Sequence, residues 1–132
     1  MFKHRNGLPK MDQEACRGAL GYVQDALYVL NGKWKLPIIV ALSEGNKRFG
    51  ELQRAVEGIA PKVLSSELKT LELNGFVVRR VYDTIPVSVE YELLEYSNSL
   101  EKVIGALKEW GEQHRNKLRN ESRKKKTALE TA

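Results

Sequence analysis

"GIAPKVLSSELKTLELNGFVVRR", residues 58–80, holds a turn, a helix start, a helix stop and the beginning of a strand. Pro61 suits the first position of a helix, where a missing N–H has no intrahelical partner to lose. Gly75, just past Asn74, can take the left-handed backbone conformation that closes a helix. Between them, at about 100° per residue, Leu64, Leu68 and Leu71 fall in one narrow arc. Lys62, Ser65, Ser66 and Lys69 fall together on the other side.

Upstream, residues Gly50 to Val56 read as another short helix, with Leu52 and Val56 inward at i and i+4. The turn "EGIA" joins the two, with Gly58 free to take unusual backbone angles and Ile59 as an apolar plug. Two short helices, a tight turn and an outward face of small polar and basic residues make the helix-turn-helix plan. In that plan the second helix enters the major groove, where hydroxyls permit close approach and lysines reach phosphates or guanine acceptors. Any solvent-facing helix carries Lys and Ser, so these four residues alone leave a plain surface open. Downstream, "FVVRRVY" and "VSVEYEL" are strand-like, the second alternating Val87, Val89, Tyr91 and Leu93 with Ser88, Glu90 and Glu92. With "DTIP" as the turn they form a hairpin. The order predicts a mostly α, α+β chain built as a winged helix-turn-helix.

"KWKLPIIVALSEG" places Trp34, Ile38, Ala41 and Leu42 on one face of a short core helix, with Pro37 in its first turn. Trp34 reads as a core anchor rather than a ligand platform. From Glu14 to Leu30 apolar residues recur at helical spacing, with Gly18 and Gly21 as a candidate break and Asn31-Gly32 as the stop. A longer helix is expected from Ser97 to about Leu118, opened by Ser97 or Asn98 with Glu101 three residues on. Its stripe of Leu100, Val103, Ile104, Leu107, Trp110 and His114 exceeds what so small a domain can cover. A second subunit is therefore expected there, joined by the first helix through Leu20 and Leu27. Residues 1–12 read as a flexible arm, 13–115 as the DNA-binding and dimerisation domain, and 116–132 as a basic, disordered tail.

The net charge of +5 suggests nucleic acid, but residues 115–132 hold seven basic and two acidic side chains, so residues 1–114 are neutral overall. Bulk basicity says nothing about the folded part; a cationic face there must come from local arrangement. No apolar run approaches a membrane span, the N-terminal stretch is too charged for a signal peptide, and a cytoplasmic protein with no membrane partner is expected. The single cysteine, Cys16, excludes an internal disulfide and leaves a bridge between two copies open. It reads either as a small apolar residue at a helix contact or as an oxidant sensor beside Lys10 and Arg17. No phosphate loop occurs, and His4 and His114 are the only histidines, so no metal, cofactor or catalytic residue is expected. His114 suits an interface better than catalysis. The competing function is a winged helix that docks an acidic protein partner.

"LNGKWKLPIIVAL", "KRFGELQRAVEGIAPKVLSSELKTLELNGFVVRRVY", "PVSVEYEL" and "SLEKVIGALKEWGEQHR" together resemble, in order and spacing, the HxlR-type winged helix-turn-helix transcriptional regulators. The resemblance covers about residues 20 to 115. It implies a homodimer formed through the terminal helices, double-stranded DNA as partner and one recognition helix per subunit. DNA contacts then fall on Lys62, Ser65, Ser66 and Lys69, with Arg48 and the wing's Arg79 and Arg80 on the backbone. The tip "DTIP" is not basic, and Asp83 would repel phosphate. Repression is the default expectation, with a small molecule or an oxidant as the kind of effector that would act at the dimer interface.

Overall fold

The structure, a computed structural model, describes residues 13–131, and side-chain surroundings for residues 17–129. The chain is mostly helical: α1 (Gln13–Val29), α2 (Lys35–Leu42), α3 (Phe49–Ala55), α4 (Pro61–Leu73), β1 (Val77–Tyr82), β2 (Ser88–Leu93), a 3-10 turn (Glu95–Leu100) and α5 (Glu101–Thr131). The expected arm, residues 1–12, lies outside the described residues, and so does the side chain of Cys16.

The local signals around α4 act as their chemistry predicts. Pro61 is its first residue. At its end the Gly75 N–H donates to the Glu72 carbonyl at 3.1 Å and the Phe76 N–H to the Leu71 carbonyl at 3.0 Å. That pair closes the helix only because Gly75 sits at φ +80°. α3 opens with the Glu51 carboxylate accepting from the Arg48 N–H at 3.0 Å, which satisfies one of the donors a helix start leaves over.

Ile38, Ile39, Ala41 and Leu42 of α2 meet Leu52, Val56 and Ile59, the α4 residues Leu64, Leu68 and Leu71, and Phe76, Val77 and Leu100 in one core. Each fully buried aliphatic side chain there contributes about 1.5–3 kcal/mol of transfer free energy. β1 and β2 pair antiparallel from Val77 opposite Leu93 to Tyr82 opposite Ser88. Lys47, in the link between α2 and α3, adds a bridge to Tyr91 through backbone bonds of 3.2 and 2.7 Å. That bridge ties the wing to the helical part.

Several expectations need correction. α1 runs through Gly18 and Gly21 without a break, because a glycine lowers helix stability by only about 1 kcal/mol. Trp34 is half-buried at the core's edge, with the Lys33 ammonium 4.6 Å above its ring, rather than at the centre. The last helix does not start at a Ser97 or Asn98 cap: the Ser97 hydroxyl donates backward to the Leu94 carbonyl at 2.6 Å inside the 3-10 turn. Residues 116–131, expected to be disordered, continue α5. They are rich in Arg, Lys and Glu, which are good helix formers, and Lys117 and Glu121 lie 3.7 Å apart one turn on. Leu100, grouped with the interface stripe, is 8 % exposed inside the protomer's own core, because the 3-10 turn folds it back.

Candidate nucleic-acid interface

α4 is held by one side and free on the other. Leu64, Leu68 and Leu71 are buried, while Lys62, Ser66 and Lys69 are exposed and Ser65 is half-buried beside them. At about 1.5 Å per residue, Lys62 and Lys69 stand about 10 Å apart along the axis, the rise of roughly three base pairs. Both hydroxyls sit between the two ammonium groups, so the face is narrow, short-chained at its middle and cationic at both ends. The tight turn before α4 needs Gly58 at φ +87°, and Ile59 seals it from below at 5 % exposure.

Around this helix the other expected contacts are placed unequally. Arg48 is exposed at the start of α3, and Arg54, which sequence reasoning passed over, shares a surface hollow with it. Only the exposed face of a seven-residue helix carried that signal. Arg79 and Arg80 are neighbours on a strand and therefore point to opposite faces of the hairpin. Arg80 is not a free cation: its Nε donates to the Glu92 carboxylate at 2.7 Å. That hydrogen bond, with the charge of Glu92, holds the guanidinium above its ordinary pKa. With Asp83, Glu90 and Glu92 against Arg79 and Arg80, the hairpin is net acidic. The exposed cations Arg48, Arg54, Lys62 and Lys69 lie on or beside α3 and α4 rather than on the wing.

A second surface is apolar. α1 exposes Leu20, Val23 and Leu27, and α5 exposes Val103, Leu107 and Trp110, the last stacked on His114 with ring centroids 5.0 Å apart. Ile104, half-buried, packs against the core beneath them. Leu107 also borders a cleft of about 590 Å3 between α2, the end of α3 and α5, lined by Trp34, Val40, Val56 and Ile104. Among the described residues no helix is long and apolar enough to cross a membrane.

Helix, tight turn, polar helix and paired hairpin, with a cationic face on the second helix, define a winged helix-turn-helix protein of the transcription-regulating class. The HxlR-like helix-turn-helix family matches residues 29–119, and the chain belongs to it. The uncharacterized HTH-type transcriptional regulator YtcD of Bacillus subtilis is 43% identical over 96 residues, covering 73% of this chain and 76% of YtcD. A crystal structure of ytcD superposes with a TM-score of 0.68 at 44% identity, covering 71% of this chain and 96% of that one. The redox regulator HypR in its reduced form gives a TM-score of 0.68 at 39% identity, covering 74% and 97%.

Proposed function

We propose that this chain controls transcription as a homodimer that lays one α4 in each of two successive major grooves about one helical turn apart. The observation that carries this reading is the outward face of α4, with Lys62, Ser65, Ser66 and Lys69 held in place by three buried leucines on the opposite side. Ser65 and Ser66 let the helix approach base edges, and Lys62 and Lys69 reach phosphates or guanine acceptors. Arg48, Arg54, Arg79 and Arg80 serve the DNA backbone, Arg80 only after exchanging Glu92 for phosphate. The dimer rests on α1 and α5, whose exposed Leu20, Leu27, Val103, Leu107, Trp110 and His114 give two copies an apolar surface to share. Binding over a promoter represses by exclusion. In cells like those of its bacterial relatives, that work belongs to the cytoplasm.

A second reading is favoured by the likeness to HypR, which has been described as a redox regulator in oxidised and reduced forms. Cys16, the only cysteine, would then bridge two copies or take up an oxidant and bias the arrangement of the pair. The test is selection of bound fragments from sheared genomic DNA by purified protein, with and without reductant. Enrichment of a two-fold motif is expected, and its loss without reductant assigns Cys16 a sensing role. No enrichment in either condition overturns DNA reading and leaves docking of an acidic protein on the same face.

A further inference from the structure

Lys35 is the first residue of α2, and it is 6 % exposed. A cation there faces the positive end of its own helix, so something else must offset its burial. Its ammonium donates to the Asn31 carbonyl at 3.3 Å and to Asn31 Oδ1 at 2.8 Å, and lies 2.8 Å from Glu67 Oε2. Two of its three donors are taken by Asn31, and Glu67 faces it as an ion pair. Glu67 belongs to α4, on the flank between its buried stripe and its polar face. Its Oε2 is buried and accepts no aligned hydrogen bond among the described residues, so the charge of Lys35 is what compensates it.

Asn31 belongs to the turn that follows α1. Among the described residues α1 makes no extended packing with the other elements; it is tied down where Val29 and Leu30 touch the core and where Gly32, at φ +80°, turns the chain into α2. Lys35 therefore clamps the root of α1 to the middle of α4. Apolar residues of the same volume would hold such a junction as firmly, because burying an ion pair gains little net stability. What the pair adds is a single geometry. We propose that Lys35 is a positioning residue: through Asn31 and Glu67 it fixes the angle between α1 and α4, and so sets the separation of half-sites that the dimer accepts.

This rests on the reading of the chain as a dimer that uses α1 and reads DNA through α4. The experiment uses the full-length protein and a series of DNA duplexes carrying its selected half-site in pairs, with spacers changed one base pair at a time. One base pair moves the partner site by about 3.4 Å along the axis and turns it by roughly a tenth of a helical turn. Wild type is expected to prefer one spacing by about tenfold, in the range usual for coupled sites. Asn31→Ala, Glu67→Gln and Lys35→Met are expected to flatten that preference to within about threefold. Asn31→Asp, which keeps the acceptor, is expected to restore it. Melting curves and sedimentation run alongside, and Asn31→Ala, at an exposed position, keeps the test valid if Lys35→Met does not fold.

An unchanged spacing preference in folded, dimeric variants overturns the proposal. An equal loss of affinity at every spacing does so too, since that is what a merely structural role gives. Loss of the dimer in all three variants also overturns it, because the junction would then be holding α1 rather than aiming it. If wild type selects no DNA sequence, the DNA-reading function falls first, and this inference falls with it.

Discussion

Replacing Lys69 by Ala in both subunits removes two ammonium groups from the proposed DNA face and nothing from the core, since Lys69 is exposed. Folding stability should stay within about 0.5 kcal/mol of wild type. If each Lys69 neutralises one phosphate, the slope of log K against log salt becomes shallower by about 1.8 per dimer, at about 0.9 per contact. Carried from a 1 M reference to about 0.15 M salt, that slope change is a loss of about 30-fold in affinity, or about 2 kcal/mol. Fluorescence anisotropy with a selected duplex at five or six salt concentrations measures both numbers at once. A guanine contact leaves a different trace: the slope holds while discrimination at one base pair collapses by about 1–3 kcal/mol. Unchanged affinity, slope and discrimination together would refute the placement of Lys69 at DNA, and with it the orientation of α4.

The hairpin offers the opposite perturbation. Glu92→Gln removes the carboxylate that holds Arg80, so DNA affinity is expected to rise and the salt slope to steepen by up to about 1.8 per dimer, read by the same titration. Leu107→Asp places a charge in the exposed stripe of α5 and is expected to yield monomer, which sedimentation would show; an intact dimer would remove α5 from the interface. Leu68→Ala deletes a core side chain that is 1 % exposed, and a cost of about 2–5 kcal/mol is expected in urea denaturation.

The helix-turn-helix and the hairpin were legible because their signals are local. Pro61 and Gly75 mark the ends of α4, its leucines repeat at helical spacing, and the wing's second strand alternates with period two. What escaped depends on partners distant in sequence. The Lys47 bridge to Tyr91 has no pattern of its own, because a single paired residue in a link looks like any loop. Lys35 reads as a surface lysine until Asn31 and Glu67 are brought to it. The chosen start of α5 failed for a related reason: Ser97 has the chemistry of a cap, yet its hydroxyl finds the nearer Leu94 carbonyl, and the 3-10 turn that results buries Leu100. The proposed DNA face was legible in residue type, while the pairing of Arg80 with Glu92 emerges only from the register of two strands.

The chain has two tryptophans, and the fold puts them in different service. Trp34 leans on the core edge, so its emission follows the integrity of the helical body. Trp110 is 63 % exposed on α5, where a second copy would dry it. Ordinary tryptophan emission thus carries two reports, one on folding and one on association. Phenylalanine at either position separates them, so dilution of the Trp34→Phe protein would read dissociation of the proposed dimer without a label.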